Sequence, residues 1–309
     1  MVEPTPITFR SDDVALAGHL RLPEEGTPVP AVVFTGPFTG VKEQVTGTYA
    51  AALAERGYAT LAFDHRNFGQ SEGQPRQHED SAGKARDLLD AVSFLATHPG
   101  VDSDRIGSVG ICLGGSYALR HAAFDPRVRA LTLVAGGFNS PVDMRAGMGP
   151  ERYRQILAEL ATIAERTFAT GEVPYIPAVS ADQRDAAMPG DEPWAYYGTE
   201  RAASPRWVNR VTRLSIRELL TLDAMSTAEL VSPTPTLIVH GTTDAYCSVR
   251  PSVRGSASCA TAAGALAPPP TPTRTPATSG STASGSCAPG TTTTARATCT
   301  GGAPPTTWR

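Results

Sequence analysis

Residues 105–117 place a strand, a cysteine and a helix in immediate succession, which constrains the fold more than any other stretch. The apolar run 106–111 predicts a short strand, and the residues after Cys112 have helical spacing. Gly110 and Gly114 flank the cysteine, in the Gly-x-nucleophile-x-Gly pattern of a sharp strand-to-helix turn with Cys in place of Ser. That turn presents the thiol at the positive end of a helix, which favours thiolate. The alternative is a buried structural cysteine beside a glycine turn.

Up to residue 137, predicted strands and helices alternate along the chain. We predict strands at 7–10, 14–22, 31–35, 58–63, 106–111, 130–135 and 235–240, and helices at 49–56, 84–97, 113–123, 151–167 and 216–222. The second strand alternates apolar and polar residues, as an antiparallel strand with one wet face should, whereas the third is an unbroken apolar run. The pattern predicts an α/β fold with a mostly parallel sheet and helices on both faces.

Residues 138–230 interrupt this rhythm after the sixth strand. An insertion at that point is predicted to form a helical cap above the strand ends, and its alternative is a helical subdomain with its own core. It contains an aromatic patch that a pocket roof would use, formed by Trp194, Tyr196, Tyr197 and Trp207. The predicted organisation is therefore an N-terminal core part at 1–137, the cap at 138–230, resumption of the core at 231–248 and a tail at 249–309.

The tail changes character abruptly. Residues 251–309 contain no Asp, Glu, Lys or His and are dominated by Thr, Ala, Pro, Gly and Ser. Such a segment cannot offset its ordering entropy by burial, so we expect disorder. We hypothesise that residues from about 249 onward are a frameshifted reading of a GC-rich gene, which would remove the last strand and helix; a genuine Thr/Pro-rich linker is the alternative. The other two reading frames of the gene would distinguish the two.

Charge and cysteine usage exclude several classes. A net charge of −3 and a pI of about 6.1 give no reason to expect nucleic acid or an anionic membrane as a partner. No apolar run is long enough for a membrane span, and no signal peptide is recognised. The cysteines are Cys112, Cys247, Cys259, Cys287 and Cys299; they lack the paired spacing of a zinc site. We expect a cytoplasmic protein with free thiols and neither metal nor organic cofactor.

With the elbow, the strand pattern and the insertion in place, the chain resembles the α/β-hydrolase superfamily over about residues 5–248. The Cys elbow at 110–115 is similar to that of the dienelactone-hydrolase-like branch. The loop at 63–71 is similar to the Asp-x-Arg-x-x-Gly-x-Ser loop that follows the fourth strand in many members. The resemblance implies that Cys112 attacks an acyl carbonyl, and that Asp244, after the seventh strand, orients a histidine. A turn-forming role is the alternative for Asp244.

Two backbone N–H groups are needed to stabilise the oxyanion of such a reaction. Leu113, directly after the nucleophile, is the first candidate. The loop after the third strand should supply the second; Pro37 has no N–H, which leaves Phe38, the position that the family uses. Dienelactone hydrolases carry a Glu at about the place of Pro37, and its absence argues against strict dienelactone hydrolase activity.

The resemblance also implies a catalytic histidine some tens of residues after the acid, and this sequence has none there. Its six histidines are His19, His65, His78, His98, His121 and His240. His65 and His78 lie in loops that face the predicted pocket, where either would suit substrate binding better than base catalysis. No catalytic His is identifiable, so impaired activity is expected of the chain as written.

The sequence thus predicts a cysteine-dependent hydrolase of a small ester, lactone or thioester, with a small-molecule acyl substrate as its partner and no oligomeric state specified. One alternative keeps the fold and drops the chemistry, giving a non-catalytic protein that binds an acyl ligand. The other is a prolyl-peptidase-like hydrolase, against which the Cys elbow argues because such enzymes normally use Ser.

Overall fold

A computed structural model describes residues 1–23, 28–182, 184–241, 244 and 247. The strands are β1 (Thr5–Ser11), β2 (Val14–Arg21), β3 (Val29–Thr35), β4 (Ala59–Phe63), β5 (Val101–Ile111), β6 (Val128–Val134), β7 (Tyr175–Ile176), β8 (Val179–Ser180), β9 (Met188–Pro189), β10 (Val211–Thr212) and β11 (Thr236–Val239). The α-helices are α1 (Val45–Ala54), α2 (Ser81–Thr97), α3 (Gly114–Phe124), α4 (Pro141–Met148), α5 (Pro150–Thr170), α6 (Asp191–Tyr197) and α7 (Ser215–Thr221), and 3₁₀ helices span Glu200–Ala202 and Met225–Val231. The expectations for the tail at 249–309, including its disorder and the lost last strand and helix, lie outside the described residues.

A seven-stranded sheet forms the centre, in the order β1-β2-β4-β3-β5-β6-β11. The pairs β1/β2 and β2/β4 are antiparallel, and every other neighbouring pair is parallel. Side chains along β2 alternate between buried and half-buried over most of its length, whereas β4 is buried throughout. The prediction of a mostly parallel α/β sheet with an antiparallel second strand is confirmed.

The alternation of side chains along β3 divides the core between the two faces of the sheet. Val32 and Phe34 point to the face covered by α1, where they cluster with Ala50. Val33 points the other way and joins the larger cluster with Leu88 of α2 and residues of α3. Burying a Val, Leu or Phe side chain stabilises the fold by about 1.5–3 kcal/mol, so both helix layers are held by the same strand.

Helix α2 begins one turn earlier than the apolar spacing predicts, at Ser81. The Asp80 side chain accepts a hydrogen bond of 2.8 Å from the backbone N–H of Gly83, which satisfies a donor of the first turn. Leu88 and Leu95, seven residues apart in sequence, both lie on the buried face. The cap residue therefore sets the start of this helix, and the apolar stripe sets its orientation.

The segment between β6 and β11 contains helices α4 to α7 and two ladders of two-residue strands, β7 with β10 and β8 with β9. The helices predicted at 151–167 and 216–222 are found as α5 and α7, each within a few residues of the expected bounds. The short ladders were not predicted, because two residues carry no recognisable period. Because β11 pairs directly with β6, the segment is an insertion between neighbouring strands; its role as a cap stays a prediction. Within the described helices, none has the length and apolarity to cross a membrane.

Candidate active site

The predicted nucleophile lies in a strained turn between β5 and α3. Cys112 has a φ of 53°, in the left-handed region that costs a non-glycine residue of order 1–3 kcal/mol. Its N–H donates to the carbonyl of Val134 at 3.0 Å, and its own carbonyl accepts from the N–H of Gly137 at 2.8 Å. These two bonds fix the turn to the end of β6 and hold it in the strained conformation.

Glycine is required on both sides of the turn because the backbone passes too close for a side chain. A Cβ on Gly110 would overlap the carbonyl oxygen of Gly114, and a Cβ on Gly114 would overlap the carbonyl oxygen of Thr35. The small residues two positions before and after Cys112 are therefore imposed by the packing of the helix start against the strand and the loop after β3.

The surroundings of the Cys112 thiol lower its pKa. The largest cause is a hydrogen bond from Cys247, whose Sγ lies 3.8 Å from the Cys112 Sγ. Burial opposes this effect by raising the pKa, whereas the backbone N–H groups of Leu113 and Phe38, which both donate to the sulfur, lower it further; the charge of Asp244 raises it. Three donors converge on one sulfur atom, and they favour its thiolate form.

The loop that supplies the Phe38 N–H is held from both sides. Gly40 closes a turn by donating to the carbonyl of Pro37 at 3.0 Å, and the Phe38 ring is buried in the large core cluster. From the insertion, the Trp207 indole N–H reaches Thr39 Oγ1 at 3.4 Å. The loop thus lies between the core and the insertion, with its N–H directed at Cys112.

Aromatic side chains of the insertion pack together, and one of them, Trp207, contacts the loop after β3. Tyr197 is buried and stacks on Trp207 with ring centroids 5.5 Å apart, while the Tyr196 ring meets it edge-on at 4.7 Å. Burial raises the pKa of Tyr197, and the charge of Cys112 raises it further. Tyr197 therefore interacts electrostatically with the Cys112 thiol.

The predicted acid lies on the loop after β11, beside Cys247. Asp244 Oδ1 accepts a hydrogen bond of 2.7 Å from the backbone N–H of Cys247. His240 Nε2 lies 3.9 Å from Asp244 Oδ2 and donates to the carbonyl of Cys247. The acid and the adjacent histidine therefore hold the backbone of Cys247, whose thiol reaches the elbow.

Ring nitrogens of His65 and His78, the two histidines in the loop after β4, bond to side chains other than Cys112. His65 Nε2 lies 2.8 Å from Thr35 Oγ1, and its Nδ1 lies 3.2 Å from Asp87 Oδ2; burial lowers its pKa. His78 Nδ1 bonds Thr212 Oγ1 at 2.7 Å, and burial lowers its pKa as well. Both rings are parts of structural hydrogen-bond networks.

Of the other histidines, His98 and His121 have local partners. His98 Nδ1 accepts from the N–H of Gly100 at 3.1 Å, His121 Nε2 lies 3.1 Å from Asp125 in the last turn of α3, and His19 lines a shallow cleft on β2. Over the part of the chain that the structure describes, no histidine hydrogen-bonds Cys112. The same part contains no group of three His, Cys, Asp or Glu side chains able to hold a metal ion.

The sequence did not predict the contact between Cys247 and Cys112, since Cys247 was only one of five cysteines. The available signal was its position on the loop of the predicted acid, three residues after Asp244. That signal is weak alone, because a loop cysteine points in no particular direction until the loop's path is known. Both cysteines are free thiols.

The parallel sheet, the strand-to-helix elbow and the converging N–H groups define a hydrolase of the α/β-hydrolase type. Residues 27–266 match the model of a family described as serine aminopeptidase, S33, and the chain belongs to this family. The family description names a serine, whereas this chain has Cys112 at the elbow. Membership of the α/β-hydrolase superfamily is thereby confirmed, and the dienelactone-hydrolase-like branch stays a prediction.

Relatives and solved structures agree with this assignment. The thiohydrolase aneE of Aspergillus aculeatus is 32% identical over 231 residues, which cover 72% of this chain and 71% of that protein. The polyketide transferase grgF of a Penicillium species is 31% identical over 222 residues, covering 71% and 72%. The crystal structure of a hypothetical protein of Pseudomonas aeruginosa superimposes with a TM-score of 0.74 at 32% identity, covering 84% of this chain and 83% of that one.

Proposed function

We propose that the chain is a cysteine-dependent hydrolase that cleaves a small ester, lactone or thioester through an acyl-enzyme on Cys112. The observation that carries the proposal is the strained turn that holds Cys112 between β5 and α3 with a φ of 53°, where the backbone N–H groups of Leu113 and Phe38 also lower the pKa of its thiol. When that sulfur attacks a carbonyl carbon, the negative charge develops on an oxygen close to the same donors. Preorganised donors of this kind are each worth about 10²–10³ in rate.

In the proposed reaction, the Cys112 thiolate forms a C–S bond to the acyl carbon, and the tetrahedral intermediate expels an alkoxide or a thiolate. Water then attacks the acyl carbon, the C–S bond breaks, and the carboxylic acid leaves with the thiolate restored; the other proton of that water goes to the expelled alkoxide or thiolate. Tyr197 and Trp207 of the insertion form the proposed aromatic wall against which the acyl group lies. Asp244 is the proposed acid of the site.

The leaving group ranks the candidate substrates. Among the described residues, no histidine hydrogen-bonds Cys112, so none is placed to protonate the leaving group of the substrate. The sequence has no histidine after His240. A thiol has a pKa of about 8.5 and leaves as thiolate without prior protonation, whereas an alkoxide is a much stronger base. We therefore rank thioesters ahead of alkyl esters, which agrees with the word thiohydrolase in the name of one relative.

Covalent labelling tests the proposal. The full chain is incubated with an acyl N-acetylcysteamine thioester and with the ethyl ester of the same acid, and intact mass and a tryptic digest locate any acyl adduct. We expect the adduct on the peptide 106–120, faster acylation by the thioester, and complete loss in Cys112→Ala. Cys259→Ser is the matched control and should label normally. An unlabelled Cys112 in folded protein would contradict the proposal and favour the acyl-binding alternative, which equilibrium binding of the intact thioester would then reveal.

The peptidase alternative is retained because the family description names an aminopeptidase. Proline p-nitroanilide distinguishes it from ester or thioester hydrolysis. An anilide amine is a poor leaving group without an acid to protonate it, so we expect turnover of the acyl thioester and none of the anilide. Faster turnover of the anilide than of the thioester would reverse this assignment.

A further inference from the structure

We infer that Cys247 is the resolving thiol for oxidation of Cys112, so that peroxide converts the pair into a disulfide that blocks the elbow. The Cys112 and Cys247 sulfurs lie 3.8 Å apart, although the two residues are separated by 135 positions in the chain. A disulfide needs about 2.05 Å between sulfurs, so a shift of under 2 Å closes the bond. This inference concerns the two thiols themselves and does not depend on the proposed hydrolysis.

The loop after β11 directs the Cys247 thiol at the elbow. The backbone of Cys247 is held at both ends, with its N–H on Asp244 and its carbonyl on His240. Cys247 is buried and Cys112 is partly exposed, so an oxidant from solvent reaches Cys112 first. Because Cys112 is the more accessible thiol, it is the one that peroxide oxidises first. Cys247, held in place by its backbone, is the one that then forms the disulfide.

The charge distribution supports the same order of events. Donors to Cys112 favour its thiolate, the form that reacts with peroxide. The pKa of Cys247 is raised, first by its hydrogen bond to Cys112 and then by burial and by the charge of Cys112. Cys247 therefore stays protonated, and its S–H donates a hydrogen bond to the Cys112 sulfur. Once Cys112 is oxidised, its negative charge is gone and Cys247 loses its proton more readily.

The reaction balances with hydrogen peroxide as the oxidant. The Cys112 thiolate attacks one peroxide oxygen; the O–O bond breaks, an S–O bond forms, and hydroxide leaves and is protonated to water. Cys247 then loses its proton and attacks the sulfenic sulfur of Cys112; the S–S bond forms, the S–O bond breaks, and the departing hydroxide takes the proton as a second water. The two sulfurs together lose two electrons, which reduce the peroxide.

A resolving thiol at this distance also changes the fate of the nucleophile. Without it, a sulfenic acid proceeds with more peroxide to sulfinic acid, which thiol reductants do not reverse. With it, the disulfide forms first and dithiothreitol restores both thiols. The pair would thus make peroxide inactivation of Cys112 reversible.

Each of the five cysteines falls in a separate tryptic peptide, which allows a direct test. These peptides span 106–120, 218–254, 255–274, 275–296 and 297–309. The native full chain is treated with peroxide, quenched with catalase, alkylated and digested without reduction. We expect the cross-link between 106–120 and 218–254 to exceed any other pair by about tenfold or more, and to disappear with dithiothreitol. A sample oxidised in denaturant should spread its cross-links over several pairs.

Two variants complete the test and do not rely on catalysis. In Cys247→Ser, peroxide should drive Cys112 to sulfinic acid that dithiothreitol does not reverse, whereas Cys259→Ser should behave like the parent chain. Circular dichroism checks that both variants are folded. Sulfinic acid at Cys112 in the parent chain with Cys247 still alkylatable would overturn the inference. Equal cross-linking of Cys112 to the cysteines of the tail would do the same.

Discussion

Two loops at the carboxyl ends of strands each place an aspartate and a histidine close together, Asp64 with His65 after β4 and His240 with Asp244 after β11, and the hydrogen bonds of the two histidines differ. In the loop after β4, Asp64 accepts from the Lys42 backbone N–H at 2.8 Å, from Lys42 Nζ at 2.7 Å and from the Gln70 N–H at 2.9 Å. His65 uses both ring nitrogens, on the side chains of Thr35 and Asp87. Both carboxylate oxygens of Asp64 and both ring nitrogens of His65 therefore have hydrogen-bond partners.

In the loop after β11, the histidine and the aspartate lie against a cysteine. His240 lies 3.9 Å from the nearest Asp244 oxygen, beyond hydrogen-bond distance. Among the described residues, its buried Nδ1 has no hydrogen-bond partner. His240 and Asp244 both hold the backbone of Cys247, whose thiol lies 3.8 Å from that of Cys112.

The difference teaches how two similar residue pairs acquire different roles. A fully satisfied buried network is rigid and contributes to the choice of one native structure, and its histidine has no lone pair left for chemistry. The loop after β11 instead contains a buried His240 nitrogen without a hydrogen-bond partner among the described residues, and it holds a thiol that donates to Cys112. The loop after β4 therefore supports the fold, and the loop after β11 is the one we associate with reactivity.

The largest effect that tests this comparison is the loss of the Lys42–Asp64 ion pair. Both side chains are essentially inaccessible, at 1% and 0% exposed. Lys42→Met leaves a buried carboxylate without its cation, which typically costs about 3–5 kcal/mol. We expect a loss of that size in the free energy of unfolding, measured by urea denaturation.

Two controls sharpen this measurement. Arg105→Met removes a cation that is 62% exposed in its ion pair with Asp102, and should cost less than about 0.5 kcal/mol. Asp244 is 17% exposed, and Asp244→Asn keeps an acceptor oxygen for the Cys247 N–H, so it should cost about 1 kcal/mol or less. An Asp244→Asn variant as unstable as Lys42→Met would remove the contrast between the two loops.

A smaller effect is the dependence of stability on pH through His65. Burial lowers the pKa of His65 in the folded state, whereas the unfolded residue titrates near 6.5. As pH falls below about 6.5, the unfolded chain binds a proton that the folded ring resists, so stability falls by up to about 1.4 kcal/mol per pH unit. His65→Gln should lose about 1–3 kcal/mol at neutral pH and show a shallower acid slope.

His78 provides a matched check on this slope, since burial lowers its pKa also. The double variant His65→Gln/His78→Gln should be flatter in acid than either single variant, as measured by urea midpoints between pH 5 and 7. An unchanged slope in His65→Gln would mean that the ring is protonated within the folded network, contrary to the hydrogen bonding described for this loop.

Much of the fold was predictable because apolar residues recur along the chain with the spacing of a strand or of a helix. The apolar run of β3 and the alternation of β2 read directly as strands, and the stripe on α2 reads as a helix. The bounds shifted where local chemistry prevails over periodicity, as at the Asp80 cap. The two-residue ladders of the insertion escaped prediction because their pairing is set by tertiary contacts alone.

The candidate site was predictable at positions where the chemistry of a single residue limits which group can take a given role. Cys112 follows from its flanking glycines, and Phe38 follows from the missing N–H of Pro37. The position of Cys247 was not predictable, because its contact joins residues 135 apart through a loop whose path no local pattern encodes. The partners of His65 were hidden for the same reason, since Asp87 lies on a different element.

The smallest effect concerns the acidity of Cys112 and separates the contribution of Cys247 from that of the backbone. The hydrogen bond from Cys247 is the largest cause lowering the Cys112 pKa, and the N–H groups of Leu113 and Phe38 follow. The alkylation rate of Cys112 by iodoacetamide tracks its thiolate fraction, so its midpoint should lie below that of a free cysteine. Cys247→Ala removes the donor and should move the midpoint to higher pH. Cys247→Ser retains a hydroxyl donor and should move it less. Equal midpoints in the parent chain and in Cys247→Ala would mean that the backbone donors alone set the acidity, and that the loop after β11 does not tune the thiol.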